Sequence, residues 1–160
     1  MPATFDSSVD LAGLARLVLA IGCGGALGWP SRKKPGGLRT HALVCAGATL
    51  FSLTARHLTG PGDEGLVRVI QGVANGIGFI GAAAVLKHQR QIHGVSVAAS
   101  IWISAAVGCE LALGQVVFAL LSVVVLTIMN VVLDAGERRF LGFHHTLVDV
   151  EGEPRGGKRD

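Results

Sequence analysis

Charge is the scarcest commodity in this 160-residue chain. Asp, Glu, Lys and Arg together make up 16% of it, against roughly 25% in ordinary soluble domains. There is no tyrosine, and aromatics amount to 5%. Cysteine is limited to Cys23, Cys45 and Cys109, each inside an apolar stretch. An odd number without paired spacing excludes a disulfide framework and a zinc site, and small buried packing residues are expected instead. No G-x-x-x-x-G-K-[ST] sequence occurs, so there is no P-loop for hydrolysing ATP. The net charge of +3 is too small an excess to indicate nucleic-acid binding. What is abundant is apolar: half the residues are hydrophobic and 23 more are glycine. A soluble enzyme and a disordered chain are both poor fits to that composition, and the length leaves little room for two domains.

Five long windows lack Asp, Glu, Lys and Arg: 17–31, 40–55, 69–86, 91–109 and 111–133. A spanning helix needs about 20 apolar residues, with roughly 17 as a floor. The last three windows meet that directly. The first two do so when extended to about Leu11 and about Leu58, each taking in one arginine, Arg16 or Arg56, whose long stem reaches the interface. With no strand-like alternation, lipid favours helices throughout. The fold class expected is therefore all-α: a polytopic membrane helix bundle of about five transmembrane helices. The N-terminal run lacks an early basic cluster, and Trp29-Pro30 follows it in place of a cleavage site, so it reads as a retained helix rather than a signal peptide.

The loops orient the bundle. Arg32, Lys33, Lys34 and Arg39 in the first loop, and Lys87 and Arg90 in the third, stand without acids. Positive loops mark the cytoplasmic side, which gives an N-out, C-in path. The fourth and fifth helices then need a very tight hairpin at Gly114. Residues 1–133 form the transmembrane domain and 134–160 a short cytoplasmic tail. In that tail Phe140, Leu141 and Phe143 are expected along the membrane surface, and Gly152–Asp160 reads as disordered.

Gly76, Gly78 and Gly81 formally spell G-x-G-x-x-G, but the dinucleotide motif needs a preceding strand and an acid about 20 residues on. Here it lies in a charge-free helix. Close helix packing is the better reading, because small residues let backbones approach where no hydrophobic force drives helices together. Gly24/Gly28 and Gly72/Gly76 make helices one and three the candidates for the tight centre of the bundle.

Intramembrane polar residues are costly and so informative. Arg68, Gln71 and Asn75 lie within about 60° of one another on the third helix. Ser96, Ser100 and Ser104 form an i, i+4, i+8 stripe on the fourth. These residues, with Arg16 and Glu110, compose a candidate polar intramembrane face, either a solute path or interhelical hydrogen bonding. Arg16, Arg68 and Glu110 fall near the outer end, and Glu110 is expected to pair with Arg16 or Arg68. The six histidines show no metal-ligand spacing, and no nucleophile–base arrangement emerges. No cofactor, no metal and no enzymatic activity are expected.

Three stretches resemble the MgtC/SapB family of bacterial inner-membrane proteins. Gly37, Leu38, Arg39, Thr40 and the run to Phe51 resemble its GLRT-x-LV segment. Asn75 to Ala83, including Gly76, Gly78, Phe79 and Gly81, resembles its GIGFLGAG segment. Ser96 to Gly108, including Trp102, resembles its TAA-x-LW-x-x-AA-x-G segment. They cover roughly 17–133 in order and spacing. The first helix of the family normally ends in a Gly-Leu-Glu-Arg type sequence. Here it reads Gly28-Trp29-Pro30-Ser31 without the acid. The soluble C-terminal domain of longer members has no counterpart, which matches the short, SapB-like form. The resemblance implies a multi-pass protein of the bacterial inner membrane that acts in adaptation to low magnesium, acid or host stress. The family is often labelled a magnesium transport ATPase, a label at odds with the missing nucleotide site. A non-enzymatic regulator or accessory protein is expected, acting on a membrane-protein partner or as a homo-oligomer. The alternative is a small ion or solute transporter or channel subunit. Mg²⁺ transport itself wants oxygen ligands, usually carboxylates, and the membrane core supplies only Glu110.

Overall fold

The computed structural model describes residues 11–32, 36–59, 64–88 and 91–148. It contains α1 (Leu11–Gly28), α2 (Leu38–Thr59), α3 (Glu64–Ala84), β1 (Leu86–His88), β2 (Gln91–His93), α4 (Val95–Leu113) and α5 (Val116–Val148). The chain divides into two compact units, residues 1–127 and 128–160. The first holds α1 to α4 and the opening turns of α5. Within the second, α5 does not stop at Leu133 but continues to Val148. The expected surface placement of Phe140, Leu141 and Phe143 concerns side chains outside the described set, and Gly152–Asp160 lies outside the described residues.

Five helices thus form, and α1, α3, α4 and the first part of α5 are long and apolar enough to cross a membrane. The molecule is a helical membrane bundle. α2 is longer than α1, α3 and α4 at 22 residues but less apolar. It turns His41, Thr49 and Ser52 inward, fully buried, and this makes a helix with that composition tolerable in lipid. Among the described residues the one departure from helices is the third loop, where β1 and β2 pair antiparallel with Lys87 opposite Ile92. Three-residue strands carry too little alternation to register in sequence.

α2 and α4 form the centre of the first unit. Hydrogen bonds link His41 to Ser100, Thr49 to Gly108, Ser52 to Cys109 and Arg56 to Ala112. Both members of each pair advance together, so the helices run parallel, side by side, for about 22 Å. One apolar cluster joins Ala20, Cys23 and Leu27 of α1 with Cys45, Val107, Leu111, Ala119 and Val123. A second joins Val44 and Ala48 of α2 with Ile77 of α3 and Val97, Ile101, Ala105 and Cys109 of α4. The three cysteines are free and buried. More than half of the α4 span is buried, against about a sixth of α3 and less of α5.

The close approaches are made by glycine on helix one, as expected, and on α4, but not on helix three. A Cβ on Gly24 would collide with the His41 carbonyl oxygen and lie 2.8 Å from Ala42 Cα. One on Gly28 would lie 2.7 Å from Leu38 Cα, and one on Gly108 would collide with the Cys45 carbonyl oxygen. Gly24 and Gly28 therefore pack α1 against α2, and Gly108 packs α4 against α2. On α3, by contrast, a Cβ on Gly72, Gly76 or Gly78 meets nothing within 4 Å. The tight centre is α2, flanked by α1 and α4.

The hairpin expected at Gly114 is present. Gly114 takes φ 89°, and the amides of Gly114 and Gln115 donate to the carbonyls of Leu111 and Glu110 at 3.1 and 3.0 Å. This is a Schellman cap, which needs a left-handed residue and so favours glycine. α5 resumes two residues later.

Candidate functional site

Two groups of polar side chains lie within the span, and the fold treats them in opposite ways. The first is a ladder between α2 and α4. His41 Nδ1 lies 2.9 Å from the Gly37 carbonyl oxygen, which can only accept, so this nitrogen carries the proton. His41 Nε2 lies 2.8 Å from Ser100 Oγ, and Ser100 Oγ also lies 2.9 Å from the Val97 carbonyl. One hydroxyl proton serves both acceptors, so with the ring neutral the two contacts alternate. Ser104 Oγ donates to the Ser100 carbonyl at 3.1 Å. Thr49 Oγ1 lies 2.9 Å from both the Cys45 and the Gly108 carbonyls. Ser52 Oγ donates to Cys109 Sγ at 3.4 Å. His41, Thr49, Ser52 and Ser104 are fully buried. Each finds its partner within the bundle, as buried polar groups in lipid must.

Of the serine stripe, Ser100 and Ser104 join this ladder, whereas Ser96 is exposed. The ladder's α2 half was not singled out from sequence. Its signal was there: His41, Cys45, Thr49, Ser52 and Arg56 recur at i, i+4, i+8, i+11 and i+15, one helical stripe. Gly37, at the head of the GLRT-like segment, is buried and supplies the carbonyl that orients His41. Leu38 and Arg39 are exposed and Thr40 is partly buried.

Above the ladder two arginines converge. Arg16 Nη1 and Arg56 Nη1 donate to the Ala112 carbonyl at 3.2 and 3.0 Å. Cations at a helix C-terminus satisfy its free carbonyls and oppose its partial negative charge. This places the start of α1, the end of α2 and the end of α4 at one end of the bundle, as the serial path requires. The carboxylate of Glu110 forms no ion pair with Arg16 or Arg68 among the described residues. Arg16 is held by Ala112 instead, and Arg68 lies 3.7 Å from Glu64 one turn earlier on its own helix.

The second group is the stripe on α3. Arg68, Gln71 and Asn75 are all exposed, as are Phe79 and Ala82 beyond them. The buried side of the same helix is Leu66, Ile77 and Gly81, which lies roughly opposite on the helical wheel. Gly76 and Gly78 are exposed as well, with open space where a Cβ would stand. The stripe therefore does not meet the α4 serines. Asn75 stands about 16 Å along a helix about 31 Å long, which is near the midplane of a bilayer. Trp102 of α4 is another outward residue, 53% exposed. The G-x-G-x-x-G glycines lie wholly within α3, with no strand before them. Among the described residues no three His, Cys, Asp or Glu side chains gather where they could hold a metal.

A helical bundle with four helices long and apolar enough to cross a membrane, a polar ladder bonded inside it and a polar stripe exposed on α3 defines a multi-pass membrane protein. The MgtC family model matches residues 17–139, so the chain belongs to the MgtC family. Similar proteins include Protein MgtC of Salmonella choleraesuis, 33% identical over 89% of this chain and 58% of that protein. Protein SrpB of Synechococcus elongatus is 34% identical over 66% of each chain. Protein MgtC of Brucella abortus is 34% identical over 69% of this chain and 46% of that protein. The chain thus spans about half the length of the MgtC proteins it matches. No solved structure matches it.

Proposed function

We propose that the protein is a non-enzymatic regulator or accessory subunit of the bacterial inner membrane, N-out and C-in, which docks a helix of another membrane protein on the outward face of α3. The observation that carries this reading is Asn75. A carboxamide at mid-membrane, facing away from its own bundle, has two donors and two acceptors and neither water nor protein to meet them. Gln71 lies one turn away on the same side, and the open positions at Gly76 and Gly78 let a second backbone come close. A helix presenting its own polar side chain satisfies both features. The ladder between α2 and α4 does not favour transport, because its groups bond one another and Gly108 closes the packing around them. Family membership supports a setting in adaptation to magnesium limitation or related stress.

The test is affinity co-purification of the full chain from its own membranes in mild detergent. Wild type is expected to bring down a membrane protein that Asn75→Leu loses, while growth under magnesium limitation fails to the same degree as in a deletion strain. Recovery of the same partner by Asn75→Leu, or Mg²⁺ flux through reconstituted vesicles, contradicts the reading. A second copy as the only species recovered replaces the foreign partner with a homo-oligomer.

A further inference from the structure

On the flank of α3 away from Asn75 lies a groove shared with α2, about 890 Å³ in volume. Four residues separate Thr59 from Glu64, so α2 and α3 run antiparallel where they face each other. Phe51 and Arg68 then mark one end of the groove, and Thr40 and Ile80 the other. From Arg68 to Ile80 is about 18 Å along the helix, close to the roughly 15 Å of hydrocarbon in one leaflet. Leu43 and Val69 supply apolar wall, and Gly47, Gly72 and Gly76 set the wall back, since a Cβ on any of the three meets nothing within 4 Å. Arg68 is the one charged residue of the lining. Its guanidinium approaches Glu64 at 3.7 Å, both side chains largely exposed, a loose pair that holds neither group firmly.

We propose that this groove holds an acyl chain of an anionic phospholipid whose phosphate sits on Arg68. The polarity of the lining selects a lipid, with one cation, Arg68, at the interface end and an apolar wall below it. An acyl chain gains no hydrophobic free energy on moving from the bilayer into the groove. Selection therefore falls on the headgroup, where a guanidinium gives a phosphate paired, charge-assisted hydrogen bonds. A zwitterionic headgroup carries an ammonium that offsets this attraction, and an anionic one does not. The groove borders the docking face at Gly76, but Asn75, which carries the docking reading, does not line it.

The experiment reconstitutes the full chain in vesicles of equal phosphatidylglycerol and phosphatidylcholine, extracts it in mild detergent and counts retained lipids by native mass spectrometry. Wild type is expected to retain phosphatidylglycerol over phosphatidylcholine by about tenfold. Arg68→Gln brings the two close to parity, and Arg68→Lys restores part of the preference. A Cβ at Gly47 meets nothing within 4 Å, so Gly47→Leu is expected to fill the groove from the α2 side with the bundle retained, and to lose both lipids. Should that variant be poorly folded, Gly76→Leu fills the same space from α3. Equal retention of the two lipids by wild type overturns the proposal. So does wild-type retention of phosphatidylglycerol by a folded groove-filled variant. A disulfide between copies carrying Gly47→Cys, formed in the membrane, also overturns it by seating a second chain there.

Discussion

α2 and α3 are neighbours of nearly equal length, 22 and 21 residues, and each carries a stripe of polar side chains beside glycine. They differ in what the stripe faces. On α2, His41, Thr49 and Ser52 are fully buried and bonded to α4. On α3, Gln71 and Asn75 are exposed among the described residues. The glycines follow the same division. Gly24 and Gly108, packed on α2, leave no space for a Cβ, while Gly72, Gly76 and Gly78 of α3 leave it open. In lipid, polar groups and small residues hold helices together. A helix that carries both and uses neither internally is equipped for contact outside its own bundle.

The contrast breaks most sharply at glycine. Gly108→Ala drives a methyl into the Cys45 carbonyl and is expected to cost about 2–3 kcal/mol, the upper part of the range for overpacked cores. Gly76→Ala meets nothing and is expected to leave stability unchanged or slightly raised, since alanine is the better helix former by about 1 kcal/mol. Thermal unfolding of both variants in detergent, followed by helical circular dichroism, compares them. Equal losses would erase the distinction between the two helices.

The next effect is at His41. Replacing it with leucine removes its bonds to the Gly37 carbonyl and the Ser100 hydroxyl, which keep the His41 amide and the Val97 carbonyl as partners, at a cost of about 1 kcal/mol. Ser100→Ala in the His41→Leu background should add little, because the lost partner is already gone. A full additive loss in that double-mutant cycle contradicts the hydrogen bond.

Thr49→Val is smaller still. It keeps the shape and removes the bonds to Cys45 and Gly108, with an expected loss of about 0.6 kcal/mol, the average for such bonds in membranes. Asn75→Leu sets the lower bound, with no measurable loss in the isolated protein.

Much of this was legible beforehand. Charge-free runs located the helices, the basic loops at Arg32 and Lys87 gave a serial path that the shared Ala112 carbonyl supports, and Gly114 marked the tight turn. Which face of each helix turns inward was not legible, for a physical reason. In water, an apolar stripe announces the buried side. In lipid both sides are apolar, so the stripe at His41, Thr49 and Ser52 and the stripe at Gln71 and Asn75 look alike until neighbours are in place. The glycine pairs were ambiguous in the same way. Gly24/Gly28 and Gly72/Gly76 share one spacing, and only the first pair has a backbone against it. Glu110 misled for a related reason: charge alone suggested Arg16 as its partner, whereas the capped end of α4 offers that arginine a fixed carbonyl.

The most direct test places a photo-cross-linking amino acid at Gln71, Asn75, Leu66 and Ile77 of α3, one site at a time, in native membranes. The account predicts adducts to another polypeptide at positions 71 and 75, and only links within the chain at 66 and 77. Intermolecular adducts at 66 and 77 with none at 71 and 75 would show that the helix faces the other way.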